Sequence, residues 1–299
     1  MFAVHRASPI ELSLEQLLQC RFIHYHPGLT KQLSHSRQAG QILSPQRGHG
    51  MEFDQVRQYQ RGDDIRHIDW RVSARTGKTH SKIFREERDR PVIVAIDLSV
   101  SMFFGSQDKI KAMMACELAA ILGWHSIGER QRTGLQLLTN DPIYTPLAQQ
   151  QSRWLAQLQQ LCTCYQQQLT HLTQSISTQN HLDAMTRRLP TGASLHIISD
   201  FYHYSDKQLA HLSHCAQRHS VTLWQVTDPM EFSLPEAAYG RLSVAHGTTQ
   251  SWLRPQSKRF KQAYQSAALA RQQRLQTQLA QYVLPLHQLS TSEDWHAYF

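Results

Sequence analysis

The sequence predicts an α/β fold: a doubly wound, mostly parallel sheet with helices on both faces, plus an N-terminal arm. Three observations carry that expectation. From Pro91 onward, short apolar runs alternate with longer helical patterns, as in a chain of βαβ units. The runs in PVIVAID and SLHIISD stay apolar until their polar ends, which suits strands covered on both faces. The residues before Pro91 show no such alternation and are dense in both signs of charge.

Each element follows in order. SLEQLLQCRFIHY places Leu14, Leu17, Leu18 and Phe22 at helical spacing and predicts a short amphipathic helix. A turn-rich, charged stretch comes next, with aromatics at Phe53, Tyr59 and Trp70. PVIVAID is a strand, and KIKAMMACELAAILGWHSI is a mostly apolar helix beginning near Lys109, which could aim its N-terminus towards the end of that strand. GLQLLT is a strand, and DPIYTPL is another after a turn at Asn140–Asp141. QSRWLAQLQQLCTCYQQ and HLDAMTRRL are helices, SLHIISD a strand, KQLAHLSHCAQRH a helix and VTLWQVT a strand. KRFKQAYQSAALARQQRLQTQLAQYV is a long helix before a final strand, PLHQLS. The expected organisation is an arm over residues 1–90 and an α/β domain with a C-terminal helix over 91–299.

With 299 residues and 40% hydrophobic content, the chain can bury one large core or two smaller ones. No apolar run approaches the ~18 residues of a membrane span, and Glu11 and Glu15 interrupt any signal-like core. The cysteine count of five is odd, and Cys162 and Cys164 are separated by one residue. That argues against a disulfide framework or zinc knuckle and for a reducing compartment, so the expected location is the cytoplasm. The net charge of +8 suggests an acidic partner. From Ala237 to Ser292 there is no Asp or Glu, while Arg241, Arg254, Lys258, Arg259, Lys261, Arg271 and Arg274 are present. Such a segment is either a solvated helix face or a nucleic-acid surface. The second use would want interleaved aromatics, and the C-terminal helix has only Phe260, Tyr264 and Tyr282.

The chemistry concentrates in VIVAIDLSVSMFFG, where an apolar strand ends in Asp97, Ser99 and Ser101. Asp200 ends a second strand. In open α/β sheets the functional crevice lies outside the carboxyl ends of the strands. One carboxylate, two hydroxyls and a second carboxylate supply only oxygen, the donor set of a hard cation such as magnesium. Asp and Ser are also ordinary turn and cap residues. Their placement after a buried strand, with the second Asp on another strand end, favours the metal.

These residues resemble a known pattern. DLSVS is similar to the DxSxS motif of the metal-ion-dependent adhesion site in von Willebrand factor A-like domains, and IISD resembles the strand carrying their later metal-associated Asp. GHGMEFDQVRQYQRGDDIRHIDWRVSAR resembles the signature of the domain of unknown function 58 family, G-x-G-x-E-F, R-x-Y, G-D-D-x-R-x-I-D-W and S-A-R. VTDPMEFSLP resembles that family's D-P-x-E-x-x-L-P segment, so the likeness covers roughly residues 38 to 290. The resemblance implies a von Willebrand factor A-like domain with Mg2+ or Mn2+ held by Asp97, Ser99 and Ser101 together with Asp200. It also implies a threonine ligand. Thr178 is the candidate, with Ser177 and Thr173 behind it, although none stands at the usual spacing. An acidic residue of a protein partner would complete the shell. The implied function is a non-enzymatic binding module, an adaptor or co-chaperone for a MoxR-type AAA+ ATPase in bacteria. Many relatives carry an N-terminal membrane hairpin, and this chain looks like the short soluble form.

Other signals have structural explanations. GDDIRHIDW and its flank hold Asp63, Asp64, Arg66, Asp69, Arg71 and Arg75, which suits an ion-pair network with Trp70 as a packing anchor more than direct partner recognition. Gly77-Lys78-Thr79 lacks the P-loop's earlier glycine, since position 72 is Val72. No H-E-x-x-H accompanies the 18 histidines, and His211 and His214 fall on a predicted surface helix. A hydrolase using Asp200 as a base ranks last, because metal hydrolases present stronger ligands than two hydroxyls.

Overall fold

The computed structural model describes residues 10–23, 51–60, 65–86, 90–171, 179–234, 242–246, 249–253 and 257–292. Two compact units emerge, one of Met1–Arg37 with Arg90–Phe299 and one of Gln38–Asp89. The expected arm over 1–90 is therefore divided. Its first helix, α1 (Leu14–Gln19), begins with a capping box between Ser13 and Gln16 and belongs to the larger unit. The Trp124 indole N–H donates to the Leu17 carbonyl at 2.9 Å, and the Tyr165 hydroxyl donates to that of Ile10 at 2.8 Å. Leu17 is fully buried there.

In the smaller unit β1 (Met51–Gln58) pairs antiparallel with β2 (His80–Glu86), with an irregularity between Phe53 and Gln55. Between them lies α2 (Trp70–Thr76), capped by Asp69, whose Oδ1 accepts from the N–H groups of Arg71 and Val72 at 3.0 and 3.1 Å. The Val72 hydrogen bond is the chief cause that holds this carboxyl below its usual range. Gly77 closes the helix at φ 70, a left-handed conformation that glycine adopts without strain. Trp70 departs from expectation: it is 69% exposed, on a two-turn helix that buries none of its residues. Of the expected network, Asp69 lies 3.8 Å from Lys82, Arg66 and Arg75 are exposed, and Asp63 and Asp64 lie outside the described residues. Asp69 serves above all as a helix cap.

The larger unit is built on β3 (Val92–Asp97), β4 (Thr133–Leu138), β5 (Ile143–Tyr144), β6 (Ser194–Ser199), β7 (Ser220–Thr227) and β10 (Leu286–Ser290). Their spatial order is β10-β7-β6-β3-β4-β5, parallel except for β5. A hairpin of β8 (Leu242–His246) and β9 (Thr249–Leu253) pairs separately. The helices are α3 (Lys111–Gly128), α4 (Gln151–Thr170), α5 (Gln179–Arg187), α6 (Asp206–Ala216) and α7 (Lys258–Gln281). The strand expected in DPIYTPL shrinks to two residues.

Residue alternation shows why β3 is oily throughout. Val94 and Ile96 join a core with Leu17, Leu118 and Leu158, from α1, α3 and α4. Ile93 and Ala95 join another with Leu182, Leu209 and Leu275, from α5, α6 and α7. Successive side chains thus enter opposite layers, and each large aliphatic buried stabilises the fold by about 1.5–3 kcal/mol. The mixed α/β architecture with helices on both faces is as expected. Among the described residues no helix is long and apolar enough to cross a membrane.

Close packing of α3 on α4 depends on Gly123. A Cβ there would lie 1.9 Å from the Trp154 ring, and Trp154 is itself fully buried. Gly123→Ala should destabilise the larger unit by about 1–3 kcal/mol through overpacking. A urea titration checks this, and an unchanged midpoint would show that the helices can part at no cost.

The topology also sets the place of the site. From β3 the chain runs to its neighbour β4, whereas from β6 it runs to β7 on the opposite side. The connections diverge from the crevice between β3 and β6, the switch point at which such sheets bind ligands.

Candidate cation site at the sheet's carboxyl edge

Asp97 is the last residue of β3 and is 2% exposed. The chain turns there because the Ser99 N–H donates to Asp97 Oδ1 at 2.9 Å. Leu98 and Met102 are buried on either side of the turn. Ser99 Oγ and Ser101 Oγ come within 3.1 Å of each other. On the adjoining strand, Ser199 donates its hydroxyl proton to Asp97 Oδ2 at 2.6 Å and so bridges β6 to β3. Asp200 follows, 1% exposed.

The next residue, Phe201, is buried with φ 59, a left-handed conformation that costs a non-glycine residue about 1–2 kcal/mol. The Phe201 N–H donates to Ser199 Oγ at 3.1 Å, and the Tyr202 N–H donates to Asp200 Oδ1 at 3.1 Å. These bonds fix the strained turn that presents Asp200. Asp97, Ser99, Ser101 and Asp200 thus meet at one edge. Thr178, Ser177 and Thr173 lie outside the described residues.

The site contains a fixed cation that sequence reasoning missed. Lys111, the first residue of α3, is 0% exposed. Its ammonium donates to Asp200 Oδ2 at 2.9 Å and to Glu231 Oε1 at 2.5 Å. Glu231 Oε2 accepts from the Tyr202 hydroxyl at 2.8 Å and the Asp228 N–H at 3.0 Å. Asp228, fully buried, accepts from Ser106, Met230 and Thr291, tying the loop before α3 to the end of β10. Burial alone would raise the Asp228 carboxyl, but these hydrogen bonds outweigh it and hold it below its ordinary value. Asp228 and Glu231 belong to the quoted VTDPMEFSLP, and Lys111 stands out as a charge at the head of a run of apolar residues. Those were the available signals.

Charge is left unbalanced on the Asp97 side. Burial, and then the nearby charge of Asp200, push the Asp97 carboxyl up despite hydrogen bonds from Ser199 and Ser99. Among the described residues no group of three or more His, Cys, Asp or Glu could hold a metal. A cation here would therefore need the two hydroxyls. The donor set fits a hard cation: Asp97, Ser99 and Ser101 offer oxygen only, beside an under-compensated carboxylate. Asp200 is the member most committed elsewhere, with Oδ2 held by Lys111.

The basic C-terminal segment folds as α7, which buries Ala268, Leu275 and Leu279 against the unit. Arg241 and Arg254 lie outside the described residues.

Known proteins resemble the chain as follows. The family described as "Protein of unknown function DUF58" matches residues 55–274. Uncharacterized protein Rv1480 of Mycobacterium tuberculosis is 29% identical over 196 residues, covering 63% of this chain. Uncharacterized protein Mb1516 of Mycobacterium bovis matches to the same extent. The chain spans 59% of the length of these relatives. Among solved structures, conserved hypothetical protein BatB from Bacteroides thetaiotaomicron matches at 13% identity and a TM-score of 0.38, over 65% of this chain and 98% of that one. An aerotolerance-related membrane protein from Bacteroides fragilis matches at 12% identity and a TM-score of 0.39, over 70% and 95%.

Proposed function

We propose that this chain, which belongs to the family of proteins of unknown function DUF58, is a non-enzymatic, divalent-cation-dependent protein-binding module with a von Willebrand factor A-like domain. One observation carries this proposal: a buried Asp97, short of positive charge, is grouped with two hydroxyls at the switch point of a parallel sheet. Asp97, Ser99 and Ser101 would hold Mg2+ or Mn2+, with Asp200 oriented behind them by Lys111. Bound there, such an ion supplies a hard electrophilic centre for a carboxylate brought by a partner. The protein's own part is to hold those oxygens in place and keep Asp97 ionised beside the cation. By its family resemblance, the partner is a MoxR-type AAA+ ATPase, for which the chain acts as adaptor or co-chaperone.

The test compares melting with and without millimolar Mg2+ or Mn2+. A site of ~0.1 mM affinity should stabilise the wild type by about 1 to 3 kcal/mol at about 1 to 10 mM metal. Asp97→Asn keeps the shape but removes a poorly compensated buried charge. Without metal it should be more stable than wild type by about 1 kcal/mol, and it should lose the metal response, as functional sites trade stability for use. A metal shift of equal size in both proteins, or in neither, would sink the proposal.

A further inference from the structure

A pocket of about 490 Å³ opens between the loop after β6 and helix α7. Tyr202, Tyr204, Asp206, Arg271, Arg274 and Gln278 line it. Arg271 and Arg274 stand one turn apart on α7 and so share a face. Neither guanidinium is paired with a carboxylate among the described residues. The acid in the lining, Asp206, is already engaged, because Oδ1 accepts from the Gln278 side-chain amide at 2.9 Å. Two guanidiniums against the one carboxylate of Asp206 leave the lining net positive. Arg271 is held in place by stacking, its guanidinium carbon 4.1 Å from the Tyr202 ring centroid.

This pocket adjoins the cation site. Tyr202 also lies 5.0 Å from the Lys111 ammonium, which is 2.9 Å from Asp200. Contacts of 2.9, 5.0 and 4.1 Å link Asp200 to Arg271. Laid end to end these contacts set an upper limit on the separation, one that about three or four residues of extended chain, ~3.3 Å each, would cover.

We infer that Arg271 and Arg274 form a second anion pocket, which binds another carboxylate of the same acidic partner segment whose first carboxylate is taken beside Asp97. This rests on the proposed cation site, and it names the partner class: a peptide with two acidic residues no more than about three positions apart. A guanidinium fork matches a carboxylate in two parallel hydrogen bonds.

The experiment uses the full chain and two fluorescent peptides, one carrying a single glutamate and one the sequence Glu-Gly-Gly-Glu. Anisotropy is read in Mg2+ and in EDTA. In Mg2+ the second peptide should bind about tenfold tighter than the first, and Arg271→Ala/Arg274→Ala should erase that advantage. Both arginines are exposed, so the variant should melt as wild type does. Arg271→Lys, which keeps the charge but not the fork, should recover part of the advantage. If the double variant keeps it, or wild type lacks it, the pocket inference is overturned, while Mg2+ dependence of the single-glutamate peptide still judges the cation site. An arginine-dependent advantage that persists in EDTA and in Asp97→Asn would support the pocket and sink the cation site. A single-stranded oligonucleotide or phosphopeptide that binds through these arginines where the glutamate peptide does not would also overturn it.

Discussion

Lys111→Met should cost the larger unit about 3–5 kcal/mol and lower its melting temperature by about 10 °C. The substitution keeps most of the side-chain volume and removes only the ammonium. That ammonium donates to Asp200 and Glu231 from a position with no solvent exposure. Once it is gone, two carboxylates share a dry site that already holds Asp97, and none can return to water without opening the edge. Breaking a buried pair from one side costs far more than the pair is worth intact, because desolvation of the survivor is no longer offset. The double variant Lys111→Met/Glu231→Gln should regain part of the loss, since it removes one stranded charge along with its partner. If Lys111→Met melts as wild type does, the ammonium is not the counter-charge of this site.

The same lysine bears on metal binding. Lys111 competes with an incoming ion for Asp200 Oδ2. The lysine also offsets the repulsion between Asp97 and Asp200. In Lys111→Met the edge is more negative, so Mg2+ should recover more stability than it adds to wild type.

Much of this architecture could be read from the chain. The run VIVAID is buried from end to end because it faces helices on both sides, and continuous oil is what such a strand shows. Asp97, Ser99 and Asp200 could be found because polar residues ending apolar strands mark the functional edge of a parallel sheet. Lys111, Glu231 and Asp228 were harder, since the contacts that define them join positions 89 and 120 residues apart for Lys111 alone. A lysine leading an apolar helix looks like a solvated end until the opposing carboxylates are in place. Trp70 misled for the converse reason: a tryptophan among charges suggests an anchor, but among the described residues its side chain stays exposed on a helix that buries none of its residues. The first helix also misled, because local spacing cannot say which unit an amphipathic face will cover.

Acid should weaken the larger unit through two histidines on the sheet. The Trp224 indole N–H donates to His196 Nδ1 at 3.1 Å, and the His287 ring lies 4.6 Å from that of Trp224. Burial, and then the proximity of His287, push His196 down to about 4 from the ordinary 6.5. Burial likewise lowers His287. A histidine depressed in the folded state stays neutral there while its unfolded counterpart takes up a proton. Its favourable contribution is thus complete above the unfolded value near 6.5 and is lost as pH falls towards the folded value near 4. His196 alone should cost about 2 kcal/mol by about pH 5 and about 3 kcal/mol by about pH 4. Urea midpoints measured between about pH 7.5 and 5 should show that decline in wild type. His196→Gln, whose side-chain carbonyl can still accept from Trp224, should flatten most of it. Asp97, at the proposed cation site, does not produce the same profile. Asp97 is raised, so its protonation on acidification relieves repulsion and works in the opposite direction. A decline that persists unchanged in His196→Gln would place the acid sensitivity elsewhere in the fold.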